Sequence, residues 1–166
     1  MLTEDNIKDI YNDLAPKLTN YLLASGLDYA SACDITQECF MRLWKKRETI
    51  GESDSISGFI FAVAKNLQID RFRRNKFITF QDELNEESCG STEQPIYKDD
   101  LIYLRKRLSQ ALNTLPENLR EAYTLFQIAG QSIKEIARIT GTSESNVKVR
   151  IHRAREKLTV LLQDLQ

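Results

Sequence analysis

The 166-residue chain is poor in the residues that usually build a disulfide framework or a metal site. It contains three cysteines, Cys33, Cys39 and Cys89, and its single histidine is His152. An odd number of cysteines without a paired spacing argues against a disulfide framework. A lone histidine without a Cys-x-x-Cys pair gives a zinc site little support. We therefore expect a protein without metal or cofactor, in a reducing cytoplasm.

Other absences bear on membranes and on secondary structure. No run of about 18 apolar residues is present, so we expect no membrane-spanning helix. The acidic start MLTEDNIKDI lacks the basic-then-apolar order of a signal peptide. Only three prolines and six glycines occur, which leaves long stretches free to be helical. A formal net charge of −1 argues against a protein that coats nucleic acid indiscriminately.

Apolar residues recur at helical spacing through the first half of the chain and predict three helices. The first helix ends at Gly26, with a kink or a restart at Pro16. The second helix is capped by Asp28 and ends near Lys46. The third helix begins near Ser57, after a polar stretch that we interpret as a loop.

The segment 81–100 breaks this helical pattern. It holds seven acidic residues against one lysine, a net charge of −6, and few apolar residues. Such a composition is typical of a flexible linker that separates two domains. We therefore predict an all-α fold of two small helical domains, 1–80 and 101–166, joined by a flexible acidic linker. The second domain is predicted to be a four-helix domain with a helix-turn-helix.

The strongest signal in the second domain is the segment SIKEIARITGTSESNVKVRIHRAREKL. It predicts a short helix, a glycine turn and a longer basic helix, the helix-turn-helix arrangement of DNA-binding proteins. Ser132 and Glu135 match a capping box, and Ser143 can cap the second helix. Ala137 is small where the two helices must approach, and Gly141 suits a turn with positive φ.

The last helix separates an apolar face from a basic face when its residues are placed at 100° intervals. The inward stripe contains Val147, Ile151, Ala154 and Leu158. The outward face contains Ser145, Val149 and His152, flanked by Lys148 and Arg153, with Arg150 and Arg155 nearer the sides. Such a face suits a major groove, where central residues read bases and flanking cations hold phosphates. A solvated face is the alternative, but the capping box, small residue and glycine in this order favour DNA binding.

Two charged groups in the first half leave alternatives open. The basic cluster at 71–76 is either a solvated helix end or a contact to single-stranded DNA, because aromatic rings among cations can stack on unpaired bases. Asp34 and Glu38 stand four residues apart on a predicted helix, so they could face each other as paired carboxylates. A solvated surface that binds a partner is the favoured interpretation of these two acids.

With these motifs in this order, the sequence resembles the extracytoplasmic-function (ECF) group of bacterial RNA polymerase sigma factors over nearly its whole length. The segment DITQECFMRLWKK is similar to the family's helix that docks on the clamp of the polymerase largest subunit. The segment ISGFIFAVAKNLQIDRFRRNK is similar to the helix that opens and reads the minus-ten element. The segment from LNTLPENLREAYTLF through the helix-turn-helix is similar to the region that binds the minus-thirty-five element and the flap of the second-largest subunit.

The resemblance implies roles for individual residues. The residues expected to bind the minus-thirty-five element are Ser143, Ser145, Lys148, Val149, Arg150, His152, Arg153 and Arg155. Those expected to bind the minus-ten element are Phe59, Asn66, Arg71, Arg73, Arg74 and Lys76. Those expected to bind the polymerase are Asp34, Gln37, Glu38, Met41, Arg42, Trp44 and Lys45. Asn66 is expected to hold a flipped base of the non-template strand, in a pocket formed by the loop 47–57.

Three residues depart from the family's pattern and shift the expected promoter sequence. Phe59 stands where many relatives carry tryptophan, which leaves a smaller aromatic wedge. Val149 replaces a residue that is commonly small and polar, and His152 takes a position that is often aromatic.

The function implied by the resemblance is promoter-specific initiation by a cytoplasmic sigma factor that is not an enzyme. The expected partners are core RNA polymerase, promoter DNA and an anti-sigma factor, without a small-molecule substrate. The main alternative is an ordinary helix-turn-helix regulator whose first half senses a ligand or dimerises, although no ligand pocket is evident there. A helical-bundle enzyme has little support, because the sequence shows no nucleophile–histidine pair, no metal-ligand set and no glycine-rich phosphate loop.

Overall fold

The computed structural model describes residues 1–51, 55–75 and 99–163, and within these ranges it is helical and without strands. The helices are α1 (Glu4–Ala24), α2 (Tyr29–Lys46), α3 (Ile56–Asn75), α4 (Asp99–Thr114), α5 (Glu117–Gln127), α6 (Ile133–Thr140) and α7 (Glu144–Leu161). The predicted linker lies outside the described residues up to residue 98. Its last two residues, 99 and 100, belong to α4 instead. None of the described helices is long and apolar enough to cross a membrane.

Side-chain caps begin α2 and α7 at the predicted residues. The carboxylate of Asp28 accepts a hydrogen bond from the backbone N–H of Ser31 at 3.3 Å. The hydrogen bond from the Ser31 side chain lowers the pKa of Asp28, so this cap is charged at neutral pH. At the start of α7, Ser143 Oγ accepts the backbone N–H of Asn146 at 3.1 Å. Each cap satisfies a backbone donor that the first helical turn leaves unpaired.

The capping box predicted at the start of α6 forms on one side only. Ser132 Oγ accepts the backbone N–H of Glu135 at 3.1 Å, as expected. The Glu135 carboxylate does not return to Ser132, because it pairs with Arg138 at 3.5 Å and lies against Gly58 of α3. The pair with Arg138 within α6 and the packing of α3 on α6 therefore replace the contact that the sequence motif predicts.

The restart predicted at Pro16 is wrong, since α1 runs through this proline without a break. Pro16 lacks the N–H that would bond the carbonyl of Asn12, and both residues are exposed. Water can therefore satisfy that carbonyl. On the other side of the helix, Leu14 and Leu18 are buried in the core, and their packing stabilises α1 on both sides of Pro16.

The main apolar core crosses from the first half of the chain to the second. It contains residues of α1, α2 and α3, such as Leu18, Leu43 and Phe61, together with Leu125 of α5 and Ile136 of α6. A smaller core joins α4, α5 and α7 and consists of Ala111, Leu112, Leu115, Leu119, Ala154 and Leu158. The two halves are therefore packed against each other, while the domain boundaries at 80 and 101 remain predictions.

Candidate nucleic-acid interface

The helix-turn-helix forms where the sequence predicts it, from α6, a tight turn and α7. Gly141 ends α6 with φ of +67°, a left-handed conformation that favours glycine. Val147 of α7 and Ile136 of α6 are fully buried in the same core, and Ala137 packs against it. These apolar contacts fix the position of α7 relative to α6.

The face of α7 opposite its buried stripe is the candidate DNA-reading surface. The buried stripe is Val147, Ile151, Ala154 and Leu158, as predicted. The exposed candidates at and after the helix start are Ser143, Ser145, Lys148, Val149, His152, Arg153 and Arg155. Arg150 is half-buried, in agreement with its predicted place at the side of the helix. The structure thus presents the base-facing candidates together on one surface.

Two of the candidate side chains of α7, Arg155 and His152, have close neighbours. The guanidinium of Arg155 lies over the ring of Phe126 in α5, 5.4 Å from the ring centroid. His152 Nε2 lies 3.1 Å from a carboxylate oxygen of Glu156, one turn further along α7. Arg155 is therefore directed to the side of α7, whereas His152 stays on the outward face.

The candidate minus-ten residues of α3 lie on different faces of that helix. Asn66 is exposed, and Arg73 and Arg74 are exposed in its last turn. Phe59 is half-buried near the start, where Lys46 Nζ lies 5.3 Å from its ring centroid. The amide and the two guanidinium groups are thus free to meet nucleic acid, while the aromatic ring lies in a crevice.

Arg71 differs from its neighbours because it is bonded to α2. Its Nη1 donates to the backbone carbonyl of Ser31 at 3.3 Å, and its Nη2 lies 3.5 Å from the carboxylate of Asp34. These contacts give Arg71 a part in packing α3 on α2, which the local sequence does not show. Lys76, the last residue of the predicted cluster, lies outside the described residues, as do residues 52–54 of the predicted pocket loop.

The outer surface of α2 is the candidate polymerase contact. Its exposed residues are Asp34, Gln37, Met41, Arg42, Trp44 and Lys45, and Glu38 is half-buried. Met41 and Trp44 are 54% and 40% exposed, and the guanidinium of Arg47 lies 4.2 Å from the Trp44 ring centroid. Exposed methionine and tryptophan among charged side chains are typical of a surface that binds another protein.

The structure does not support the alternative of paired carboxylates on α2. Asp34 pairs with Arg71 at 3.5 Å and Glu38 pairs with Arg42 at 3.0 Å, so each acid has a cationic partner. Burial raises the pKa of the Cys39 thiol to about 12, which keeps it protonated and unreactive. Among the described residues, no three metal-ligating side chains come together.

A cavity of about 410 Å³ lies beside Phe59, between the loop after α2 and helix α6. Lys46 and Ile50 line it on the side of the first half, and Glu135 and Arg138 line it on the side of α6. The loop 47–57, which the family resemblance predicts to form a base-binding pocket, contributes Thr49, Ile50, Ser55 and Ile56 to the lining, whereas Asn66 does not line this cavity. The sequence does not predict that Glu135 and Arg138 line this cavity, because no local pattern shows which helix of the second half approaches α3.

Known proteins match the chain in both halves. The Sigma-70 region 2 family matches residues 10–78, and the Sigma-70 region 4 family matches residues 105–158. The chain is 30% identical to the ECF RNA polymerase sigma factor SigM of Bacillus subtilis, over 93% of this chain and 94% of that protein. It is also 30% identical to the ECF RNA polymerase sigma factor SigW of Bacillus subtilis, over 96% of this chain and 89% of that protein.

The chain belongs to the ECF RNA polymerase sigma factors. It is thus a sigma factor that acts with core RNA polymerase in promoter-specific initiation, as the sequence predicts. Solved structures share its fold. The sigma factor RpoE of Bartonella quintana, in complex with the anti-sigma factor NepR, matches with a TM-score of 0.74 and 24% identity, over 96% of this chain and 98% of that one. CnrH in complex with the cytosolic domain of CnrY matches with a TM-score of 0.73 and 20% identity, over 98% of this chain and 90% of that one.

The matched regions of this sigma factor contain the candidate surfaces. The region 2 match includes all of α2 and α3 and most of α1. The region 4 match includes α5, α6 and most of α7. The predicted all-α fold and sigma-factor function are confirmed, and the roles of individual site residues stay predictions.

Proposed function

We propose that this ECF sigma factor divides promoter recognition between its two halves. In this proposal α7 reads the minus-thirty-five element as duplex DNA, and α3 with the loop 47–57 captures bases of the minus-ten element. The outer surface of α2 binds the clamp of the polymerase largest subunit, and the second half binds the flap of the second-largest subunit. The observation that carries the proposal is α7, whose base-facing candidates are all exposed while the opposite stripe is packed.

The C-terminal part of the proposal rests on how α7 is supported. A recognition helix must project from the protein far enough to enter a major groove, and it must be held from behind. The core shared with α5 and α6 provides the support. The exposed surface offers hydrogen-bond donors to base edges through Lys148, His152 and Arg153. It offers an apolar contact through Val149. DNA phosphates can be bound by the hydroxyls of Ser143 and Ser145. They can also be bound by the guanidinium groups of Arg150 and Arg155 at the sides of α7.

The N-terminal part rests on the exposed face of α3. The amide of Asn66 can hydrogen-bond the edge of a base flipped from the non-template strand, and Arg73 and Arg74 can hold the strand or stack on its bases. Phe59 can act as a wedge beside the cavity. The binding energy of captured bases offsets the cost of unstacking them, so the duplex opens without covalent chemistry. No catalytic residue, cofactor or small-molecule substrate is part of this proposal.

The remaining partner is an anti-sigma factor. RpoE of Bartonella quintana is bound to the anti-sigma factor NepR, and CnrH is bound to the cytosolic domain of CnrY. These relatives support the proposal that this chain, too, is held by an anti-sigma factor until a signal releases it. Because its polymerase partner works in the cytoplasm, we place the chain there as well.

Transcription by purified components tests the proposal. Core RNA polymerase with the purified chain should start transcripts at a discrete set of promoters in a genomic DNA library, and core polymerase alone should not. A variant with Lys148, Val149 and Arg153 all replaced by alanine should still bind the core enzyme but lose this selectivity. A helix-turn-helix regulator would bind DNA on its own and restore no initiation, and that result would refute the proposal.

A further inference from the structure

His152 of α7 is the single histidine of the chain, and its imidazole ring lies beside a carboxylate. Its Nε2 is 3.1 Å from Oε1 of Glu156, one helical turn further along α7. The two side chains are 74% and 65% exposed, so water screens the pair and its contribution to stability is small. The carboxylate therefore matters less for the fold than for the imidazole ring, which lies on the proposed reading face of α7.

The Glu156 carboxylate determines which nitrogen of the neutral His152 ring carries a proton. A neutral imidazole has one N–H donor and one nitrogen with a free lone pair. A lone pair on Nε2 would face a negative oxygen at 3.1 Å, whereas an N–H at that place is attracted to it. The neutral ring of His152 thus carries its proton on Nε2, and the free lone pair is on Nδ1.

The other surroundings of the ring are cationic or apolar. A cavity of about 200 Å³ beside His152 is lined on α7 by Lys148 and Arg155. Of the described residues of α5 and α6, the apolar Phe126 and Ile133 line it. Ammonium and guanidinium groups donate hydrogen bonds and accept none. None of these neighbours can therefore replace the Glu156 carboxylate as the acceptor that faces Nε2.

The position of the proton decides what the ring can recognise on a base. In the major groove, adenine and cytosine present amino donors, whereas guanine and thymine present keto oxygens as acceptors. A lone pair on Nδ1 accepts from an amino group and is repelled by a keto oxygen. A second proton, which histidine rings take up in mildly acidic solution, turns Nδ1 into a donor and reverses this choice. A donor role of His152 at a base edge therefore belongs to the doubly protonated ring.

We propose that Glu156 is a positioning residue for base recognition, which presents Nδ1 of His152 to the minus-thirty-five element as a hydrogen-bond acceptor. The base that His152 meets is then adenine or cytosine rather than guanine or thymine. Glu156 acts through the imidazole ring and does not itself contact the base. The inference rests on the proposed reading of the minus-thirty-five element by α7, and it adds the base chemistry at one position of that element.

Selection of promoter DNA by the holoenzyme tests this role. Core polymerase with the full chain selects from promoters whose minus-thirty-five element is randomised, at about pH 8 and about pH 6, and sequencing gives the base preference at each position. His152→Ala identifies the position that depends on the ring. At about pH 8 the wild type should favour the amino bases there by about fivefold. At about pH 6 the preference should shift towards the keto bases, and His152→Ala should show no such shift.

Two glutamine variants separate the effect of Glu156 on the ring from its charge. Glu156→Gln keeps the length of the side chain, but its amide can donate as well as accept, so both neutral forms of the ring become possible. This variant should lose most of the amino preference at about pH 8. Glu144→Gln removes the same charge from the first turn of α7, two turns before His152, and should keep the preference. Both residues are exposed, so both variants should fold like the wild type.

Three results would overturn the inference. They are an unchanged preference in Glu156→Gln, a preference of the wild type for keto bases at about pH 8, and a preference that His152→Ala changes at no position. Equal loss of the preference in Glu144→Gln would also overturn it, because the charge of α7 and not the ring would then be responsible. A wild-type holoenzyme that selects no minus-thirty-five sequence at all would instead refute the proposed function.

Discussion

Val149 is an apolar residue on a surface that is otherwise polar. It is 45% exposed at the centre of the outward face of α7. In a major groove, the natural partner of a branched apolar side chain is the C5-methyl group of thymine. We expect Val149→Ser to weaken the discrimination between thymine and uracil at one position of the minus-thirty-five element. Holoenzyme binding to promoters with single uracil substitutions measures this effect.

Val160→Ser is the matched control for this substitution. Val160 is an exposed valine near the end of α7, beyond the candidate DNA contacts. It should leave the preference for thymine unchanged. Equal losses of affinity at every promoter position in Val149→Ser would show that this residue reads no base.

Arg153 and Arg155 are predicted to act on different parts of the DNA. Arg153 is exposed on the reading face, whereas Arg155 is held to the side by Phe126. Arg153→Ala should cost about 1–3 kcal/mol at one base pair. Arg155→Ala should weaken all sequences alike and reduce the salt slope of binding by about one. Titrations of single-base promoter variants at several salt concentrations measure both effects, and uniform losses in both variants would mean that α7 grips only the backbone.

The site residues differ in how far the sequence predicts them. The exposed and buried positions of α7 follow from its helical period, so the reading face can be derived from one segment. The contacts of Arg71 with α2 and of Glu135 with Gly58 of α3 cannot, because they join different helices. In the sequence Arg71 is indistinguishable from its exposed neighbours, but in the structure it contacts Ser31 and Asp34 of α2. Glu135 resembled half of a capping box but contacts Gly58.

At the scale of single helices, the sequence predicts most beginnings and ends because caps and glycines act within one turn. Pro16 is the exception. A proline inside a helix costs about 3 kcal/mol. Burial of a leucine side chain contributes about 1.5–3 kcal/mol, and Leu14, Leu18 and Leu22 of α1 are all buried. The packing of the whole helix offsets the local cost, and packing is not part of a local rule.

The cap of α2 predicts a pH-dependent contribution to stability. The hydrogen bond from the Ser31 side chain lowers the pKa of Asp28. A carboxyl whose pKa is lowered by folding stabilises the fold above its unfolded pKa of about 3.9. This contribution is lost as the pH falls through the folded value. Asp28→Ala should cost about 0.5–2 kcal/mol at neutral pH, and its difference from the wild type should shrink below about pH 4.

Urea unfolding across the acid range measures this difference. Asp28→Asn keeps a capping side chain without a titrating group, so its stability should lack this pH-dependent component. A constant difference between the wild type and Asp28→Ala down to about pH 2 would show that the charge of the cap contributes nothing.

The outer surface of α2 predicts the effect of charge on polymerase binding. Gln37 and Met41 are exposed one turn apart. Replacing both by glutamate puts unpaired charges into the proposed interface, so binding to core polymerase should weaken by about tenfold or more, or about 1.4 kcal/mol. The fold should persist because neither side chain is buried. Fluorescence titration with core polymerase and circular dichroism measure the two expectations. Asn12→Glu with Asn20→Glu on α1 is the control, and equal binding by both double variants would place the contact elsewhere.

At the scale of the whole molecule, the acidic segment 81–100 shows where the chain lacks core residues but not whether the halves meet. The main core contains side chains from both halves. Across the interface, Lys65 forms an ion pair with Glu121 of α5 and a hydrogen bond to the Ile139 carbonyl of α6. Helix pairing of this kind joins positions that are distant in the sequence. Each half has its own sequence signals, and the surface between them has none. The all-α class and the helix-turn-helix could therefore be predicted, whereas the contact between the two halves could not.

The proposed function separates duplex binding by α7 from melting by α3, and the substitution Asn66→Ala tests this separation. Asn66 is exposed on α3 directly after Lys65, which faces the second half. Removing its amide should therefore leave the contacts between the halves intact. In the holoenzyme, a flipped base would lose a hydrogen-bond partner worth about 0.5–1.5 kcal/mol. We expect Asn66→Ala to lower the permanganate reactivity of promoter thymines severalfold.

Binding of the duplex minus-thirty-five element should not change in Asn66→Ala, because the proposed reading face lies on α7 and not on α3. Asn12→Ala removes an exposed asparagine from α1 and should alter neither measurement. If permanganate reactivity and minus-ten specificity both stay at the wild-type level, Asn66 captures no base. The melting surface would then have to be sought among Phe59, Arg73 and Arg74, which share α3 with it. Loss of duplex binding as well would mean that the two halves do not act on separate steps.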